Sequence, residues 1–259
     1  MDQLPLHPGN IDVWVTIIAD MPDAVLRAQF DQNLTEDERM KRGKFHFEKD
    51  RRRYIVTRLL ARYVLSRYVP IKPADWHFEA TSFGRPVVAN THPGVVGMTF
   101  NISHSDDIVV LGVTRGRDIG IDVENTRRNP SLDVAESFFS ASEVLQLRAM
   151  PPDLQPLRFL DFWTLKESYI KARGKGLSLP LDLFGFDLSG DGPLHAHFDA
   201  SFDDAPRNWT FWQWRPSPHN IAALCVGNRP GVASHITVRR VLPFVCEENT
   251  VFDVLRKSA

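Results

Sequence analysis

Cysteine is nearly absent: the 259 residues include two, Cys225 and Cys246. Two thiols make neither a disulfide framework nor a cysteine-based zinc site, and they read as reduced, buried residues of a cytosolic protein. Long apolar runs are missing as well. The best, residues 11–19, is interrupted by Asp12 and Thr16 and falls far short of the ~20 residues that a membrane-spanning helix needs. The opening Met1-Asp2-Gln3-Leu4-Pro5 lacks the charged and apolar regions of a signal peptide. Neither charge is in surplus: 31 Lys+Arg face 32 Asp+Glu, for a formal net charge of −1. That balance excludes a generally basic nucleic-acid coat protein and an acidic solvating tail. Together these absences predict a soluble, cytoplasmic protein with no membrane and no nucleic-acid partner.

What is present is core material. At 43% hydrophobic and 24% charged residues, the chain can fill one large domain or two small ones. Residues 11–18 are rich in β-branched side chains and read as a strand. Thr35 followed by Glu38 is a capping box that opens a helix. A longer helix is expected over 50–68, where Val56, Leu59, Leu60, Tyr63 and Val64 recur at helical spacing, with Pro70 and Pro73 ending it. Short strands follow around 76–79, 86–88, 99–103, 108–114 and 119–124, separated by turn residues. Helices return at 132–139, at 141–149 behind Ser140 as cap, and at 157–173 before Gly174. Residues 184–241 are strand-like. Strands, then helices, then strands, without regular βαβ alternation, predict an α+β fold with antiparallel sheets. A soft boundary lies between residues 124 and 132.

Four features stand out. In Gly120-Ile121-Asp122-Val123-Glu124, a strand would project Asp122 and Glu124 to one face. Two adjacent carboxylates repel unless a cation or proton lies between them, and oxygen-only donors suit Mg²⁺; the alternative is a solvent-facing strand side. In the 157–173 helix, Phe159, Leu160, Trp163 and Ile170 form an apolar stripe that contains Glu167, with Lys171 at its edge. A carboxylate there is costly unless paired or metal-bound; the alternative is a surface Glu–Lys pair. Between residues 41 and 62, nine Lys and Arg face two acids, Glu48 and Asp50. Arg51, Arg58 and Arg62 line one side of that helix, and Arg53 borders its apolar stripe. Such a patch suits a phosphate, a nucleotide or an acidic protein. Finally, Phe100-Asn101-Ile102-Ser103-His104-Ser105 follows Gly84-Arg85-Pro86. A Ser-His pair at a strand end can hold phosphate oxygens, whereas a nucleophilic triad lacks its strand–turn–helix elbow.

In this order, with Phe162-Trp163-Thr164-Leu165-Lys166-Glu167-Ser168-Tyr169-Ile170-Lys171 and the run from Gly174 to Leu181, the segments resemble the 4′-phosphopantetheinyl transferase superfamily of the surfactin-synthetase-activating (Sfp) type. The resemblance implies two similar α/β halves related by a pseudo-twofold, each a small, mostly antiparallel sheet packed with helices, with coenzyme A in the cleft. The halves would be residues 1–124, with the basic coenzyme A-binding helices, and 125–259, with the metal and catalytic helix. It implies Mg²⁺-dependent transfer of 4′-phosphopantetheine from coenzyme A to a serine of an apo acyl or peptidyl carrier protein, by a monomer, with release of adenosine 3′,5′-bisphosphate. By motif, Asp122 and Glu167 would ligate Mg²⁺, and Glu124 would be a further ligand or the base toward the serine. Lys171 would neutralise the diphosphate or the departing phosphate. Ser103, His104 and Arg85 would contact phosphates, Arg85 standing where a lysine is common. Arg53 and Lys41 would hold the 3′-phosphate; Glu38 stands where some relatives have a lysine. Two other readings use the same residues: a different Mg²⁺-dependent enzyme that hydrolyses nucleotides or coenzyme A, and a binding module for carrier proteins or anions without chemistry.

Overall fold

The computed structural model describes residues 2–190 and 192–258. Met1 and Ala259, the outer ends of the two expected halves, lie outside the described residues, as do Asp191 and the side chain of Leu177. The chain divides into two compact units, Met1–Gly116 with Ala233–Val251, and Arg117–Val232 with Phe252–Ala259. Both are mixed sheets and helices, so the fold is α+β.

The first unit runs β1 (Asn10–Ile17), α1 (Asp23–Asn33), α2 (Glu36–Gly43), α3 (Glu48–Leu65), β2 (Phe78–Ala80), β3 (Pro86–Val88), β4 (Met98–His104) and β5 (Ile108–Arg115). The second runs β6 (Ile119–Asn125), α4 (Val134–Phe138), α5 (Ala141–Arg148), α6 (Gln155–Arg173), β7 (Phe184–Asp187), β8 (His195–Phe198), β9 (Trp209–Ser217) and β10 (Asn220–Gly227). The chain then returns β11 (His235–Leu242) and β12 (Cys246–Thr250) to the first unit and ends with β13 (Val254–Lys257) in the second.

In the first unit the sheet order is β12-β11-β1-β5-β4. The α3 residues predicted to be apolar, Val56, Leu59, Leu60, Tyr63 and Val64, are buried in one cluster with Trp14 of β1 and Val109, Leu111 and Val113 of β5. The alternation of β5 aims those three side chains to one face. Two expectations need correction. β11 pairs with β1 in parallel, Asn10 opposite His235; a parallel neighbour needs a long crossover, and here the Arg117–Val232 part of the second unit lies between the two strands in sequence. α3 stops at Leu65, before the prolines. There the Ser66 hydroxyl donates to the Arg62 carbonyl at 2.9 Å and accepts from Trp76 Nε1 at 2.8 Å.

The second unit is built on an antiparallel sheet, β13-β9-β10-β6. On it lies α6, which has Pro156 in its first turn and ends at Gly174 with φ 63°. Phe162, Leu165 and Tyr169 of α6 share a cluster with Phe211, Ile221, Ala223 and Cys225. The α5 capping box of Ser140 and Glu143 forms as the spacing predicts, as does that of Thr35 and Glu38. The cysteines are both free, but only Cys225 is buried; Cys246, expected inside, is exposed because β12 is an edge strand of its sheet. Among the described residues no helix is long and apolar enough to cross a membrane.

Candidate functional site

Position 120 decides how closely α6 approaches β6. A Cβ on Gly120 would stand 1.9 Å from the Ser168 carbonyl oxygen and 2.3 Å from the Ala172 amide nitrogen. Both are backbone atoms that no side-chain rotation can move, so the helix rests directly on the strand only because residue 120 is glycine. Residues two apart share a strand face, so Asp122 and Glu124 project from β6 on the same side as Gly120, toward the helix that carries Glu167 and Lys171. Asp122 lies opposite Ala223 of β10.

The electrostatics follow from this packing. Lys171 Nζ donates to Asp122 Oδ1 at 2.6 Å. Arg128 Nη1 donates to Glu124 Oε2 at 3.3 Å. Burial, then the nearby Asp122 charge, push the Glu124 carboxyl up to about 7 against the pull of Arg128 and Lys171, with Glu167 adding to the rise. Glu167 is pushed up to about 6 by burial and by Asp122, opposed by Lys171. Three carboxylates thus crowd one corner of the second unit. The Asp122 charge raises the proton affinity of both Glu124 and Glu167, and Glu167 adds to that of Glu124, as like charges at close range do.

Among the described residues, no group of three or more His, Cys, Asp or Glu side chains is arranged to hold a metal ion unaided. The donor set nonetheless fits a hard cation. Mg²⁺ takes oxygen ligands and is usually held by one or two carboxylates plus substrate phosphates, not by an all-protein cage. Mutually repelling carboxylates, two of them pushed above their ordinary range, are stabilised by a divalent charge.

α6 differs from the expected stripe in one respect. Trp163 and Glu167 lie at its less buried edge, while most other positions of the helix are buried, Lys166 among them at 1% exposure. Lys166 Nζ pairs with Glu143, itself fully buried, at 2.8 Å and donates to the Leu181 and Phe184 carbonyls. Glu143 also accepts from the Ser140 and Phe186 backbone amides. This pair holds α6 in the rotation that faces Glu167 and Lys171 toward β6. Sequence reasoning missed it; the signal was Glu143 in its capping box, which gave no hint of a lysine partner far along the chain.

The other predicted residues are in the first unit. Arg53 of α3 pairs with Asp50 at 2.8 Å and reaches Asp106 at 3.8 Å, which brings it to the turn after Ser103 and His104. On β4, Ser103 is buried and His104 exposed, as strand alternation requires. Arg85 Nη2 donates to the Phe100 carbonyl at 3.2 Å. Lys41 is exposed on the last turn of α2. The basic patch itself needs correction. Arg62, expected on an anion-facing side, is 1% exposed, pairs with Glu38 at 2.8 Å and donates to the Pro73 and Trp76 carbonyls. Arg52 is consumed by Asp23 and the Ile18 and Met21 carbonyls. Glu38 therefore does double duty, capping α2 and neutralising Arg62.

The family model for the 4′-phosphopantetheinyl transferase superfamily matches residues 118–225, and that for the 4′-phosphopantetheinyl transferase N-terminal region matches residues 25–115. A 4′-phosphopantetheinyl transferase HetI from Nostoc is 30% identical over 224 residues, 86% of this chain and 90% of that protein. The 4′-phosphopantetheinyl transferase Sfp from Bacillus subtilis is 37% identical over 161 residues, 62% of this chain and 69% of that one. Another Bacillus subtilis 4′-phosphopantetheinyl transferase is 36% identical over 159 residues, 61% and 68% of the two chains.

Proposed function

The chain belongs to the 4′-phosphopantetheinyl transferase superfamily, in its Sfp type, and from that premise we propose that it transfers the 4′-phosphopantetheine arm of coenzyme A to a serine hydroxyl of an apo carrier protein and releases adenosine 3′,5′-bisphosphate. The observation that carries this reading is the meeting of Asp122, Glu124, Glu167 and Lys171 across the Gly120 contact.

In the reaction the serine oxygen attacks the phosphorus that bears the pantetheine arm, and the bond from that phosphorus to the bridging diphosphate oxygen breaks. Such transfers require positioning and charge neutralisation rather than an enzyme nucleophile, which agrees with a site of carboxylates and cations. Glu124, pushed up to about 7, is basic enough to accept the serine proton. Lys171 neutralises charge that develops on the departing phosphate. Asp122 and Glu167 are the residues that would hold Mg²⁺, which would supply charge neutralisation at the diphosphate. Arg53 and Lys41 are assigned to the 3′-phosphate, and Arg85, Ser103 and His104 to phosphate oxygens; their support is the family resemblance and, for Arg53, its reach to the turn after His104.

The test mixes the protein with coenzyme A, Mg²⁺ and a set of apo carrier proteins and weighs each product by mass spectrometry. One phosphopantetheine should be added per carrier, with adenosine 3′,5′-bisphosphate appearing only when a carrier is present. Release of nucleotide without a carrier would identify a hydrolase instead.

A further inference from the structure

Three arginines from three elements converge on a cavity of about 340 Å³ in the second unit: Arg158 of α6, Arg215 of β9 and Arg256 of β13. Among the described residues that line it, one carboxylate, Asp161, faces them, at 3.5 Å from Arg158 Nε and 3.6 Å from Arg256 Nη1. Arg158 Nη1 is fixed by the Leu188 carbonyl at 2.8 Å and Arg256 Nη1 by Gln213 Oε1 at 2.6 Å. These bonds hold two guanidiniums in place while leaving most of their five donors each unspent. Arg215 is exposed and makes no hydrogen bond or ion pair among the described residues. Burial and the neighbouring Arg256 hold the Arg158 guanidinium below its ordinary value, against the pull of Asp161. Exposed Leu154 and Leu255 complete an apolar wall.

The described lining residues carry a surplus of two positive charges, which in a concave, partly apolar site is unfavourable without an anion and complementary to one that carries two. Oxyanions are the natural match, because guanidinium forks bind them bidentately. The cavity is distinct from the carboxylate site. Arg158 precedes Lys171 on α6 by about 20 Å at 1.5 Å per residue. We propose that this cavity binds a small organic dianion, a phosphate monoester whose apolar body lies against Leu154 and Leu255.

Calorimetry on the full chain at low salt tests this, with phenyl phosphate and inorganic phosphate as probes. Phenyl phosphate should bind one site saturably and more tightly than inorganic phosphate. Arg215→Ala should weaken it about tenfold, the scale of a lost charge-assisted contact, and Arg215→Glu should abolish it. Neither variant should alter phosphopantetheine transfer, since Arg215 lies outside the reaction site. Lys171→Ala and saturating coenzyme A should leave phenyl phosphate binding unchanged. Three outcomes would overturn the proposal: no saturable binding, equal affinity for the two probes, or binding lost in Lys171→Ala but kept in Arg215→Ala. The last would assign the anion to the carboxylate–lysine site. Failure of the transferase reading would leave the Arg215 result intact, so the two ideas fail separately.

Discussion

Gly120 lies beneath the backbone of Ala172, so close that a single added methyl would stand 2.3 Å from its amide nitrogen. The contact sets the separation of α6 and β6 and, with it, the meeting of the charged groups that these elements carry. Gly120→Ala should therefore act as an overpacking substitution against rigid backbone, costing about 3 kcal/mol, the upper end of the usual range, and should remove transferase activity. Chemical denaturation and a carrier-loading assay check both. A variant that keeps wild-type stability would show that the helix can lift from the strand freely.

Glu167→Gln separates function from stability. Removing one of three crowded carboxylates relieves repulsion, so the melting temperature should hold or rise slightly. Activity should fall by about a hundredfold or more, the scale on which loss of charge stabilisation at a phosphoryl centre acts. Asp122→Asn should show a similar loss of turnover. Near-normal rates at saturating Mg²⁺ in both variants would remove these residues from the proposed site.

The raised carboxyls of Glu124 and Glu167 predict a pH dependence of stability. A carboxyl whose folded value exceeds the ordinary 4.5 binds its proton more tightly in the folded chain. Its contribution is complete below that ordinary value and is lost as pH climbs through about 6 for Glu167 and about 7 for Glu124. The loss is on the order of 3 kcal/mol for the larger shift, that of Glu124. Melting temperature without divalent ions should fall between pH 5 and pH 8, and Mg²⁺ should restore it at pH 8 far more than at pH 5. Equal Mg²⁺ effects at the two pH values would place the ion elsewhere.

Lys166→Met should destabilise the second unit by about 3–5 kcal/mol, because it strands the buried Glu143 charge. Lowering the pH should recover part of the loss by protonating Glu143. Denaturant titrations at pH 5 and pH 7.5 read this directly, and a pH-independent cost would point to lost packing alone.

Arg53→Ala should raise the KM for coenzyme A more than that for 3′-dephospho-coenzyme A. Equal effects on the two donors would mean that Arg53 does not read the 3′-phosphate.

Local signals in the sequence were strong wherever a short segment decided its own structure. Both capping boxes, the α3 stripe, the Gly174 stop and the alternation of β4 through β6 were readable because each depends on neighbours a few residues away. α1 was not, since Leu26 is the only apolar side chain that it buries, too few to show a period. β11 beside β1 was not, because strand pairing across most of the chain leaves no local mark.

The charged residues divide in the same way. That Asp122 and Glu124 share a face, and that Glu167 and Lys171 lie one turn apart, follow from 2-residue and 3.6-residue periods alone. Which arginines remain available for an anion did not follow. Arg53 pairs with Asp50 one turn away on its own helix, whereas Arg62 and Arg52, alike in sequence, are claimed by Glu38, Asp23 and backbone carbonyls from other segments. Periodicity orients a side chain on its own element, but only packing brings an opposite charge from a distant element to meet it.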